Sequence, residues 1–430
     1  MRIPSSHWER ILLPEWSNLF ESHWSNQWLT LRVSQHSMRN VDCEPLPYGR
    51  HWIDEEDIAE VVKVLRSDWL TTGPAVEAFE RAIGEYTGAK YAVAVANGTA
   101  ALHAAMFALD IGPGDEVIVP PLTSAATANC VAYLGARPVF ADVDPDTLLL
   151  DPNRAAEKIS SRTKAIIAVD YAGHPCEYDA LQTLAHKHGL ALVADACHSL
   201  GGSYHGRNAG TLANLTAFSF HPVKPITTGE GGMVATDDAD LARRMRAFRN
   251  HGITTDHRER AFAGTWHYEM TELGYNYRLS DMQCALGISQ LRKLPGWMAR
   301  RQQIAHQYSA ALANSPVATP LASRSGISHA RHLYVVRVNP EVGRDVFLSA
   351  LRAKGIVANV HYIPVHLHPY YRQRYGCKPG MCPIAEEAYQ HIVSLPIFPR
   401  MTDADVRRVT HSVEELTPGL QTTDSVRARR

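Results

Sequence analysis

Three things are scarce in this 430-residue chain: paired cysteines, an excess of charge of either sign, and long apolar runs. Its seven cysteines (Cys43, Cys130, Cys176, Cys197, Cys284, Cys377 and Cys382) are odd in number and scattered, with no CxxC pair. That pattern excludes a disulfide framework and reads as reduced thiols in a cytoplasm. No metal site is expected. Lysine and arginine number 43 against 44 aspartates and glutamates, a formal net charge of -1. A nucleic-acid or anionic-membrane binder would carry a clustered basic excess, so neither partner is expected. No stretch reaches the roughly 20 apolar residues of a membrane span.

What is present is an ordinary globular composition, 45% hydrophobic and 20% charged. The first 37 residues stand apart. Trp8, Trp16, Trp24 and Trp28 are half of the chain's eight tryptophans, yet no continuous apolar core of a signal peptide accompanies them. A second methionine, Met38, stands just before Pro45-Leu-Pro-Tyr-Gly-Arg50, where the globular pattern begins. Residues 1–45 are therefore expected to be a poorly ordered extension, with an aromatic docking segment as the rival reading.

From about residue 75, short apolar runs alternate with helical ones. Tyr91–Val95, Glu116–Val119, Pro138–Phe140, Lys164–Val169, Leu190–Ala194, Thr216–Phe220 and Gly232–Ala235 read as strands, with helices between most of them. Such a pattern predicts an α/β fold with a large, mostly parallel sheet covered on both faces. Ligands of these sheets bind at the carboxyl ends of the strands. After residue 290 a separate β-α-β pattern runs through Leu333–Val338, Arg344–Lys354 and Val357–His361. The expected division is a large domain over 46–290, a small α+β C-terminal domain over 291–418 and a tail over 419–430. Residues 46–70 are expected to pack on the small domain.

Three sequence features carry chemistry. Asn97-Gly-Thr-Ala100 lies between a strand and a helix, where backbone N–H groups and the helix dipole favour an anion. Taken alone it is equally a plain helix cap. Asp195, in Asp195-Ala-Cys-His198, ends an apolar strand, where a carboxylate is costly without a partner. It is a helix cap, half of a buried salt bridge, or the counter-ion of a protonated ring nitrogen, which it would keep electron-withdrawing. Lys224 lies between two prolines in His221-Pro-Val-Lys-Pro225, ahead of Gly229-Glu-Gly-Gly232. A constrained lysine near a cation has a lowered pKa and attacks aldehydes.

Taken together, Asn97-Gly-Thr99, Asp195-Ala-Cys-His198, Ser219-Phe-His-Pro-Val-Lys224 and Gly229-Glu-Gly-Gly232 resemble the sugar aminotransferases of the DegT/DnrJ/EryC1/StrS family. The likeness runs from about Leu46 to about Val413, and the motifs come in the family's order. It implies the pyridoxal-phosphate-dependent transferase fold type I, that of aspartate aminotransferase. It also implies pyridoxal 5'-phosphate as cofactor, Lys224 as the Schiff-base lysine and Asp195 as the partner of the pyridine nitrogen. Gly98, Thr99 and Ser219 would hold the phosphate, with His198 close to the ring. Gly274-Tyr-Asn-Tyr-Arg278 matches a further family block, in which Asn276 would reach the cofactor phosphate of a second subunit. That implies a homodimer with a shared active site.

Tyr48-Gly-Arg50, Trp69-Leu-Thr-Thr-Gly-Pro74, Asp170-Tyr-Ala-Gly173 and His361-Tyr-Ile-Pro-Val-His366 resemble the branch that aminates a UDP-linked 4-keto-6-deoxy-N-acetylhexosamine in pseudaminic acid biosynthesis. Tyr48, His221, His361, Tyr362 and His366 would line the substrate side, with L-glutamate as amino donor. One departure stands out: Ser124 replaces the family's usual aromatic residue, which would stack on the cofactor at a gain of about 1 kcal/mol. Three rivals remain. A sugar dehydratase of the same fold is disfavoured by Lys224, a non-catalytic regulatory member by the intact Asp195/Lys224 pair, and a different amino-acid aminotransferase of the same fold by the substrate-side motifs. Deleting residues 1–37 is expected to leave activity intact. An inactive or insoluble truncation would favour the docking segment.

Overall fold

The computed structural model describes residues 44–416. The expectations for the extension up to residue 43 and for the tail lie outside the described residues. The strands Tyr91–Val95 (β1), Glu116–Val119 (β2), Arg137–Phe140 (β3), Thr163–Val169 (β4), Ala191–Asp195 (β5), Leu215–Ser219 (β6) and Gly232–Thr236 (β7) form one sheet in the order β1-β7-β6-β5-β4-β2-β3. Every pairing is parallel except the two made by β7. The reason is local: the connection from β6 to β7 holds no helix, so the chain turns back instead of crossing over. Val93, Val117, Ile166 and Val193 are wholly buried, as their near-continuous apolar strands predict for a sheet covered on both faces.

The helix Gly98–Ala108 (α1) follows β1 directly, and Ala125–Tyr133 (α2) follows β2. At the other side of the β1 turn, Gly232 opens β7 so close to Asn97 that a Cβ there would overlap the Asn97 carbonyl. Only glycine permits that approach.

Buried apolar side chains form two clusters. One surrounds the seven-stranded sheet. The other gathers Leu46, Ile304, Tyr308, Val336, Phe347, Leu351, Val393 and Val409. Its sheet is antiparallel, with Tyr334–Val338 between Ala318–Pro320 and Ile392–Leu395. The helix Asp281–Leu312 contributes Leu291, Leu294 and Trp297 to the first cluster and Ile304, Tyr308 and Leu312 to the second. Leu46–Pro47 pairs in parallel with Ile356–Val357, whereas the helix Glu55–Leu65 packs on Asp281–Leu312. The strand expected over Val357–His361 is shorter, because beyond Val357 the chain makes only a single bridge from Asn359 to Ser394.

A long-range cap ties these parts together. The helix Pro74–Thr87 starts after Gly73, which has no capping side chain. Asp281, itself 1% exposed, accepts instead from the Gly73 and Ala75 amides at 2.7 and 2.9 Å. Orphan N–H groups of a buried helix start are thereby satisfied from far away in sequence. Asp281→Ala is expected to lower stability by about 2 kcal/mol, read as a lower denaturation midpoint, because two amides lose their acceptor at once.

Candidate active site

The site is assembled from the turn after β1 and the carboxyl ends of β5 and β6. Asn97 caps α1, its Oδ1 accepting from the Ala100 amide at 2.8 Å. Gly98 and Thr99 then form the first turn, whose free amides open on a cavity of about 320 Å³. A Cβ at Gly98 would lie 2.9 Å from the Ser219 Cβ and 3.3 Å from the Cys197 Sγ. The missing side chain is thus what lets the helix start approach the strand ends.

Asp195 is the last residue of β5 and is 5% exposed. Its Oδ2 accepts from the Thr127 hydroxyl at 2.6 Å, and its Oδ1 from the Cys197 amide at 3.3 Å. Thr123 stands 2.6 Å behind Thr127. Among the described residues, no lysine, arginine or histidine forms an ion pair with Asp195. Two neutral donors only partly offset the burial of a carboxylate, which suits a cationic group of a ligand.

Lys224 lies in the loop after β6, half-buried, its amide donating to the His221 carbonyl at 2.9 Å. Burial pulls its ammonium below the ordinary lysine value, while Cys197 and Asp195 pull the other way. Asp195, Lys224, Gly98, Thr99 and Ser219 all line the one cavity, together with His198 and His221. Cys197 lines it too, with its thiol pushed well up by burial and by Asp195, so it stays neutral.

A buried aromatic wall continues from His198. Its Nε2 lies 3.1 Å from the Tyr362 hydroxyl, and on the other side the His332 ring is 4.4 Å away. Burial holds His198 well below the usual imidazole value, with the Lys224 charge acting in the same sense. His361 is pushed down to about 4, again first by burial. Its Nδ1 meets the Ser394 hydroxyl at 2.8 Å, and Tyr48 packs against its ring at 5.0 Å. Tyr48, His361 and Tyr362 are therefore contiguous with His198, although only His198 lines the cavity itself.

Two residues named from sequence lie elsewhere. His366 is wholly buried, paired through Nε2 with Glu386 at 2.9 Å and packed near Phe140. It lies outside the set of residues that line the cavity. Asn276 is exposed and bridges Asn250, outside this chain's cavity. Ser124 faces the cavity and caps α2, its Oγ accepting from the Ala126 amide at 3.5 Å. Sequence reasoning missed Thr127 and His332, since nothing local marks a threonine or histidine as the support of a distant side chain. A larger cavity, about 380 Å³, lies among Arg244, Arg246, Arg249 and Arg278. These four arginines are engaged by Asp110, Glu80 and Asn250, and neither lysine nor cysteine lines it, so the chemistry belongs to the smaller one.

Comparison with known proteins places this arrangement. The model of the DegT/DnrJ/EryC1/StrS aminotransferase family matches residues 51–414. The spore coat polysaccharide biosynthesis protein SpsC of Bacillus subtilis is 42% identical over 380 residues, 87% of this chain and 97% of that protein. The PMP-form structure of a putative sugar aminotransferase, Spr1654 from Streptococcus pneumoniae, superposes with a TM-score of 0.82 at 32% identity, covering 86% of this chain and 98% of the other. The same protein is known in a PLP form. Helicobacter pylori PseC, an aminotransferase involved in the biosynthesis of pseudoaminic acid, gives 0.81 at 34% identity, with 87% and 99% covered. The free amides at Gly98 and Thr99, the unpaired carboxylate of Asp195 and the half-buried Lys224 fit the phosphate, ring nitrogen and aldehyde of pyridoxal phosphate, respectively. The chain belongs to the DegT/DnrJ/EryC1/StrS aminotransferase family, and is a pyridoxal-phosphate-dependent sugar aminotransferase of fold type I.

Proposed function

We propose that the chain transfers an amino group from L-glutamate to a nucleotide-linked 4-keto-6-deoxy sugar, most simply a UDP-linked N-acetylhexosamine on the route to pseudaminic acid. The observation that carries the assignment of roles is that Lys224 and the unpaired Asp195 line one cavity, with a helix start at its edge. The cofactor, when bound, supplies an aldehyde for amines and a ring that draws electrons from the adjoining carbon.

Lys224 acts as nucleophile and then as the base and acid that moves a proton from the donor's α-carbon. Its lowered pKa leaves a larger share of free amine at neutral pH. Asp195 keeps the ring nitrogen protonated. Gly98, Thr99 and Ser219 hold the phosphate, and His198, neutral through burial, packs beside the ring without adding a competing positive charge.

On the substrate side we assign His221, exposed at the cavity mouth, with Tyr48, His361 and Tyr362 along the wall beyond His198. His366 is left out for want of exposed surface. The exposed position of Asn276 supports its service to the site of a second subunit, hence a homodimer. The second buried cluster, drawn mostly from residues 304–413, supports a smaller C-terminal part beside the cofactor-binding one. The described cysteines are all free, which supports a cytoplasmic setting.

Protein loaded with pyridoxal phosphate is expected to show a visible absorption band that gives way to near-ultraviolet absorbance on adding L-glutamate. The keto-sugar that restores the band is the acceptor, and a band that ignores every amino donor would refute transamination. Gly98→Ala is expected to weaken cofactor binding about tenfold or more while leaving the circular dichroism unchanged, since the added Cβ pushes the helix start away from Ser219.

A further inference from the structure

Asp170 is a carboxylate that the proposed chemistry leaves unused, yet it lies directly behind the site. It follows β4 and is wholly buried. Oδ1 accepts from the Tyr178 hydroxyl at 2.8 Å and from the Cys176 amide at 3.0 Å. Oδ2 accepts from the Ser199 hydroxyl at 2.5 Å. The Asp170 amide meanwhile donates to the Asp195 carbonyl at 3.1 Å. One residue thus grips both ends of the segment 195–199, which carries Asp195, Cys197 and His198 to the cavity. The segment is also held by the Ala196 amide donating to the Ala217 carbonyl at 2.9 Å, and closed on itself by the Ser199 amide donating to the Ala196 carbonyl at 3.0 Å.

We propose that Asp170 is a positioning residue for the cofactor. It holds the segment 195–199 in place and, when ionised, sets a second negative charge behind Asp195 that favours a cationic ring nitrogen. This rests on the assignment of Asp195 to that nitrogen.

Three donors aimed at both oxygens suit the ionised form. Burial opposes it, and the carboxyl is pushed up to about 7, with the charge of Asp195 adding to the effect of burial. The titratable groups that face Asp170 are Cys176 from its own loop, Tyr178 from the helix Tyr178–His188, and Asp195 and Cys197 from the neighbouring strand end. None of these is cationic. Asp170 therefore changes charge near neutrality, and a cation bound in the cavity on the far side of Asp195 favours its ionised state.

The sign follows: as pH rises through about 7, Asp170 loses its proton and the cofactor's ring cation is held more firmly. The test is pyridoxal phosphate affinity, read by tryptophan fluorescence of the full chain across about pH 6 to 8, for wild type and Asp170→Asn. Wild type is expected to gain about tenfold through this range relative to the variant, whose profile lacks that step. Ser199→Ala removes one bond to the ionised form, so its step is expected at higher pH. A folded Asp170→Asn protein that keeps the wild-type step, or loses affinity equally at every pH, would overturn the proposal. So would an unmoved step in Ser199→Ala. Asp195→Ala separates the two assignments: it should bind the cofactor poorly at every pH, and wild-type affinity there would overturn the role of Asp195 as well.

Discussion

The structure is organised around a buried carboxylate that, among the described residues, forms no ion pair. Asp195 ends the central strand of the sheet, 5% exposed, and accepts from the Thr127 hydroxyl and the Cys197 amide. A carboxylate in that position is costly by itself, and the cost is recovered when a cationic ligand arrives. The parallel sheet supplies the placement, because its strand ends gather residues from distant parts of the chain into one crevice. The helix start at Gly98 then offers the opposite electrostatic character across the same cavity. A ligand with an anionic group at one end and a protonated ring at the other matches both.

The neighbours of this pair are arranged so as not to disturb it. Burial keeps His198 and His361 neutral, so the aromatic wall adds surface without adding positive charge beside Lys224. Arg301, wholly buried beside His332, donates to the Arg331, His332 and Ile397 carbonyls and is pulled down to about 10 by burial. It braces the loop that sets His332 against His198. Ser124, where the resemblance led us to expect an aromatic residue, caps α2 at the edge of the cavity.

Much of this was legible in the chain. Continuous apolar strands announced a covered, mostly parallel sheet because only such sheets bury both faces of a strand. The motifs around Asn97, Asp195 and Lys224 each left plain structural readings open, and it was their joint resemblance to the family's motifs, in the family's order, that implied the cofactor. The antiparallel β7 was not announced, since its direction depends on a connection too short for a crossover. Nor was the burial of His366, whose motif resembles a substrate wall while its side chain points to Glu386.

What the sequence determined by itself was the alternation of elements and the identity of the reactive groups, both of which are local properties of residue type and spacing. Only the tertiary structure decided which groups share a cavity, which histidines lose their charge, and which distant residues satisfy them. Asp281 capping a helix that starts at Gly73, Thr127 holding Asp195 and Asp170 gripping Ser199 are all long-range bonds. Their partners have no signature in the neighbouring sequence, because burial and hydrogen bonding depend on what the fold brings close, and not on what the chain places next.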